Sequence, residues 1–242
     1  MKKFIIKKLL LLLFVSSLSA KDFKPNEYSR ELRDFAVDVV FSHEIRGTNI
    51  FVPFRQKVSI YVQADDQVKS KVMKDLKRLA KLTNFEIVES EKPSHNNTGG
   101  ITHLNIYVDD LKEIKDIARS LGDRLRSHHL SLYYFRSIKN VNEEDDTVFY
   151  DVKNANIYVS TEVEDINERV IRLYLGAIGF PAHSSEISGF YFSNKQAKKE
   201  LTVFDKWLVS FVYTHFRAGQ DKRDLKKLIK EEWEKFTANA KV

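Results

Sequence analysis

The sequence predicts an α+β fold: a central mixed β-sheet with helices packed on it and a helical C-terminal segment. Three observations predict it. Short stretches alternate apolar and polar residues with the period of a strand, at 57–63 and 101–108. Longer stretches repeat apolar residues every three or four positions, at 65–82 and 164–178. Strand and helix patterns intermingle over the first two thirds of the chain, and helices close it, an order that suits a sheet covered by helices.

Taken in order, residues 28–41 read as a helix, with Leu32, Phe35, Ala36 and Val39 on one face. Val58, Ile60 and Val62 mark a strand at 57–63. A long amphipathic helix follows at 65–82, striped by Val68, Val72, Leu76, Leu79 and Ala80, with Asp65 or Asp66 as its N-cap. Residues 85–88 form a short strand and 92–100 a loop rich in Pro, Ser, Asn and Gly. Leu104, Ile106 and Val108 define a strand at 101–108, and Asp109 opens a helix through Ile114, Ile117, Ala118 and Leu121. Residues 130–135 are strand-like, 141–146 an acidic turn, and 148–152 with 155–160 a strand pair. The helix at 164–178 ends on Gly179, and Pro181 prevents its continuation. A helix at 201–216 opens with Thr202 and Asp205 at capping-box spacing, and a last one runs from about 221 to 236. The chain reads as one domain over 21–242, its core at about 30–219.

The first 20 residues read as a removable secretory signal. Lys2, Lys3, Lys7 and Lys8 precede an apolar block at 9–15, and Ser16, Ser17, Ser19 and Ala20 supply small residues for cleavage. The block is shorter than the ~20 apolar residues a membrane span needs, so no stable insertion is expected after cleavage, and the periplasm or the exterior is the expected location; the alternative is that the segment is kept as an uncleaved N-terminal anchor. Cysteine is absent, which excludes disulfides, thiolate metal sites, a cysteine nucleophile and a lipid-bearing cysteine. The formal charge is +6; the four lysines of residues 1–20, which contain no acid, leave +2 for the rest. With lysine and glutamate mixed along most helices, no nucleic-acid partner is expected.

Several constellations invite a chemical reading and then decline it. His43-Glu44 has Gly47 where a zinc helix needs its second histidine. His128 and His129 are adjacent, so on a strand they face opposite ways, and neither His103 nor His183 is spaced to join one of them. Glu143 to Asp146 lack the spaced oxygens and the turn glycine of a calcium loop. The loop Asn96-Asn97-Thr98-Gly99-Gly100 lacks the lysine of a phosphate loop. There is no Gly-x-Ser-x-Gly elbow, and His183-Ser184-Ser185 are sequence neighbours, whereas nucleophile and base usually meet only in space.

One resemblance emerges at Ile166-Asn167-Glu168-Arg169-Val170-Ile171-Arg172-Leu173-Tyr174-Leu175-Gly176-Ala177-Ile178-Gly179-Phe180. The segment is similar to a helix of a secreted bacterial domain family of unknown function. Further along, Leu201-Thr202-Val203-Phe204-Asp205 matches that family's Leu-Thr-x-x-Asp helix start, and Tyr213 through Gly219 resembles its Tyr-x-Pro-x-x-x-x-Gly segment without the proline. Upstream, 58–62, 79–84 and 104–108 look like its first strand, first helix and next strand. The motif positions carried over are thus Gly179, Phe180, Leu201, Thr202, Asp205, Tyr213 and Gly219.

The family's helix in turn resembles the metal helix of zincin proteases, His-Glu-x-x-His-x-x-Gly. With Gly179 as that glycine, the resemblance puts the first ligand at Arg172, the general base at Leu173 and the second ligand at Gly176. A third, metzincin-type ligand falls at Ala182, one residue before His183. The permanently charged guanidinium of Arg172 repels a cation, and Leu173 takes no proton from water. The resemblance therefore implies a zincin-like outline with no metal, no cofactor and no such hydrolysis. The expected role is a non-catalytic binding domain of the cell envelope, its partner an unknown protein, peptide or envelope component. Gly189-Phe190-Tyr191-Phe192-Ser193 then serves either as a binding lip or, as three consecutive aromatics more often do, as buried packing. The alternative is a periplasmic hydrolase that uses His183 with Glu168 or Asp205.

Overall fold

The computed structural model describes residues 25–41, 51–95, 100–126, 129–141, 148–181, 191–193 and 199–239. Among them are six helices and five strands: α1 (Pro25–Val40), β1 (Lys57–Gln63), α2 (Asp66–Thr83), β2 (Glu86–Glu89), β3 (Ile101–Asp109), α3 (Leu111–Ser120), β4 (Ser131–Val141), β5 (Val148–Ser160), α4 (Ile166–Ala177), α5 (Val203–His215) and α6 (Lys222–Asn239). The sheet runs in the order β2-β1-β3-β5-β4. β2, β1, β3 and β5 are parallel, and β4 is an antiparallel edge strand paired with β5. The α+β class with a mixed central sheet and a helical C-terminus is the one the sequence predicts.

The parallel strands lie in the interior. β3 is buried from Thr102 to Val108, on both faces, because parallel strands need crossovers that lay helices over them. One face carries Val58, Ile60, Val62, Leu104, Ile106, Val108, Ala155, Ile157 and Val159 into the main core, where α1, α2, α4, α5 and α6 contribute Phe35, Leu76, Leu175, Leu208 and Leu225. Buried side chains of this size contribute ~1.5–3 kcal/mol each relative to exposure, so this face is the main source of stability. The other face meets α3 through a smaller cluster of Tyr107, Ile114, Ala118 and Tyr158.

Local rules account for the boundaries. Asp65 caps α2, accepting from the Val68 amide at 2.9 Å, and Asn84 ends it in the left-handed region at φ 57°. Thr202 and Asp205 form a reciprocal capping box on α5. Two expectations need correction. Asp109 does not open α3: it ends β3 opposite Ser160, and Asp110 is the N-cap, accepting from the Glu113 amide at 2.8 Å. Residues 148–160 are one strand rather than a strand pair. Along it Arg136 pairs with Asn154 and Ser137 with Val152, so Lys153 is a bulge in a continuous ladder.

The C-terminal end of α4 is a Schellman turn. The Phe180 amide donates to Leu175 at 2.8 Å and the Gly179 amide to Gly176 at 3.1 Å. Ile178 is thus the cap, and Gly179 follows it with φ +104°. A Cβ on Gly179 would sit 3.1 Å from the Phe51 ring. Gly179→Ala is expected to cost at least ~1–2 kcal/mol from backbone handedness alone, measured by denaturant unfolding; an unchanged midpoint would contradict this account of the turn.

Candidate functional site

α4 leaves the C-terminal end of β5 by a short turn and packs on β4, β5 and α2. Asp165 caps its first turn, accepting from the Glu168 amide at 2.9 Å. Its inward face buries Val170, Tyr174, Leu175, Gly176 and Ala177. The three positions that the zincin resemblance assigns to metal chemistry have other neighbours. Arg172 donates through Nε to Glu168 at 2.9 Å and through Nη1 to the Tyr191 carbonyl at 3.1 Å. Its guanidinium also lies 4.2 Å from the centre of the Tyr191 ring. Leu173 packs against the main core. Above Gly176 lies the ring of Tyr133 from β4, so close that a Cβ there would stand 2.9 Å from Cε1 and 3.2 Å from the hydroxyl.

The remaining motif positions surround the same helix. Asp205 is fully buried, and its Oδ2 accepts from the amides of Thr202 at 2.8 Å and Tyr191 at 3.0 Å and from the Thr202 hydroxyl at 2.5 Å. Phe180 stacks against Phe192 at 5.7 Å between centroids. Tyr213 donates its hydroxyl to the Ile178 carbonyl at 2.8 Å, at the end of α4. Phe51 gathers the rest: its ring is 5.9 Å from that of Tyr213, and its carbonyl accepts from the Gly219 amide at 3.3 Å. Leu201 packs on the main core. Gly179, Phe180, Leu201, Thr202, Asp205, Tyr213 and Gly219 therefore serve as joints between α4, α5 and the chain before β1.

Tyr191, Phe192 and Ser193 are buried, so this part of the aromatic segment is packing and not an exposed lip. Glu168 and Asp205 are linked through Arg172 and Tyr191. His183, His43, Glu44, His128, residues 143–146, the loop at 96–99 and Ala182 lie outside the described residues. Among the described residues, no three histidine or carboxylate side chains converge on a metal position.

A second constellation occupies the opposite face of the sheet, and the sequence reading missed it. Parallel pairing sets Asn105 beside Asn156 and Tyr107 beside Tyr158. Asp123, just after α3, is buried there, and its Oδ2 accepts from Tyr158 at 2.7 Å and from Asn156 at 2.8 Å. Arg136 of β4 stands 3.5 Å from its other oxygen. Asn156 passes the chain on by accepting from Asn105 at 3.0 Å. Asn105 then clamps Ser94 reciprocally, accepting from its amide at 3.2 Å and donating to its carbonyl at 3.1 Å, while Asn154 donates to the same carbonyl at 2.9 Å. These links join sheet side chains to one another, to α3's exit and to the strap at 90–95. The visible signal was His-x-Asn-x-Tyr at 103–107 set against Asn-x-Asn-x-Tyr at 154–158, polar residues at matched positions of two central strands.

The electrostatics favour fixed protonation. Burial pushes the Tyr158 phenol far above its ordinary value, and the hydrogen bond to Asp123 pushes it the same way. Burial likewise raises Tyr107, Tyr133, Tyr174 and Tyr191, with Arg172 opposing the shift at Tyr191. These phenols stay neutral rather than serving as general bases. His95, beside the strap, is held below 6.5 by burial first and then by the Arg136 charge, against the pull of Asp123.

Two outcomes follow. In an exposed helix Gly→Ala gains ~1 kcal/mol; Gly176→Ala is expected instead to lose ~1–3 kcal/mol by overpacking, with Tyr133→Leu restoring most of it, and additive double-mutant energies would refute the contact. Because the folded chain binds a proton at His95 less readily than the unfolded one, stability should fall as pH drops below 6.5. His95→Gln should flatten that part of the stability–pH curve, and a curve that keeps its slope would assign the effect elsewhere. No family model, no curated protein and no solved structure matches this chain.

Proposed function

We propose that this chain is an exported, non-catalytic binding domain of the bacterial cell envelope, zincin-like in outline and working without zinc. One observation carries the reading: the α4 side chains at the metal positions are already committed to structural work. Arg172 crosslinks α4 to Tyr191, and the Tyr133 ring fills the space beside Gly176. A guanidinium tied to a carboxylate on the same helix offers no lone pair to a cation and no proton acceptor to a water.

The surface that fits an extended partner is the outer edge of β4. Among the described residues no strand pairs with that edge, and β4 spans eleven residues. An extended protein or peptide segment adds to such an edge through main-chain hydrogen bonds, and the half-buried Tyr133, Tyr134 and Phe135 flank the line it would follow. Their large, stiff rings contribute contact area at low entropic cost.

Metal analysis and peptide selection on the protein recovered outside the cytoplasm test this together. The expected results are no stoichiometric zinc, no cleavage of casein, and selected peptides that shield amides 131–137 from hydrogen exchange. Zinc at one equivalent that disappears in His183→Ala, or proteolysis abolished by that substitution, would reverse the reading. Selected peptides that shield other segments would remove β4 as the docking edge.

A further inference from the structure

The outer face of α2 concentrates positive charge. The helix carries Lys69, Lys71, Lys74, Lys77, Arg78 and Lys81 against Asp66 and Asp75, an excess of four. That exceeds the +2 that residues 21–242 carry together, so the rest of that stretch is net acidic. The charge is also sorted in space. Val72, Met73, Leu76, Leu79 and Ala80 face the core. Lys71, Lys74, Arg78 and Lys81, spaced three, four and three residues apart, line the opposite side and are exposed. At 1.5 Å per residue the stripe runs straight for about 15 Å. Its neighbouring acids are few: Asp75 pairs with Arg78 at 3.2 Å and takes an Asn167 hydrogen bond at 2.8 Å, and Lys77 pairs with Glu89. Among the described residues Lys71, Lys74 and Lys81 meet no carboxylate at ion-pair distance.

We propose that this stripe is a docking surface for a bilayer rich in anionic phospholipid headgroups. Its chemistry selects that occupant. Five of the six cations are lysines, compact point charges that suit a diffuse sheet of negative charge; recognition of a single phosphate or carboxylate favours the forked guanidinium of arginine. The exposed side of the stripe carries no aromatic residue on which nucleic-acid bases would stack. A straight row on one rigid helix meets a plane along its whole length. No described helix is long and apolar enough to cross a membrane, so such attachment is peripheral. It is independent of the β4 edge, which lies at the other end of the strand order from β2 and α2's C-terminus.

The experiment is vesicle co-sedimentation of the full chain, so that any contribution from residues 1–20 is common to every variant. The test variant is Lys71→Gln/Lys74→Gln/Arg78→Gln/Lys81→Gln. The control removes as much charge from exposed sites elsewhere, as Lys112→Gln/Lys199→Gln/Lys206→Gln/Lys227→Gln. The native chain should bind phosphatidylglycerol-containing vesicles more tightly than pure phosphatidylcholine, and less so as salt rises. Each stripe charge removed should weaken binding about fivefold, while the control keeps most of it. Equal loss in both variants would reduce the effect to net charge. Unchanged binding in the stripe variant, no preference for the anionic vesicles, or tighter binding to single-stranded DNA than to those vesicles would each overturn the proposal. Matching circular dichroism melts confirm that both variants fold.

Discussion

Burial of β3 and β5 on both faces is the constraint on which the rest of this structure depends. A strand covered on one side only can send every second residue to water. These two strands cannot, because the helices of the main core cover one face, and α3 with the strap at 90–95 covers the other. Each polar side chain on the second face therefore needs a partner inside the protein, since an unmatched buried donor or acceptor costs ~1–3 kcal/mol. Asp123, Asn156, Asn105 and Ser94 meet that requirement as one connected chain of hydrogen bonds. The same chain ties a turn and a strap to the sheet, so the satisfaction of polar groups and the placing of two irregular segments are one event.

The apolar face solves a different problem. α4 must cross β4 and β5 closely, and Gly176 permits it by leaving room for the Tyr133 ring. Its last turn must then reverse sharply, which Gly179 allows at a positive φ. Phe51, Tyr213 and Gly219 lock that reversal from outside, and Asp205 and Arg172 fix the buried Tyr191–Ser193 tripeptide between α4 and α5. The residues that single this helix out in sequence are therefore joints.

Charge follows the same division. Two exposed ion pairs, Lys222 with Asp38 and Lys226 with Asp34, join α6 to α1 at half-exposed positions and contribute little individually. α2 differs because its outer lysines outnumber the acids within reach, leaving a one-sided field where the other helices are mixed.

Much of the architecture was legible because it rests on local rules. Periodicity located β1 to the residue, caps located the starts of α2 and α5, and Gly179 marked the end of α4. The reading slipped where long-range pairing decides. Residues 148–160 look like two strands around Lys153-Asn154, yet β4 carries the ladder across the bulge; Asp109 and Asp110 are both good caps, and only the pairing of Asp109 with Ser160 separates them. The sequence by itself determined the order of elements, the absence of cysteine chemistry and the emptiness of Arg172, Leu173 and Gly176 as metal ligands, because each follows from residue identity and near neighbours. Only the tertiary structure decided that Tyr133 fills the space at Gly176, that Asp123 anchors a network on the far face, and that Lys71, Lys74 and Lys81 of α2 meet no acid among the described residues. Those facts join residues tens of positions apart, and no local preference encodes a distance of that kind.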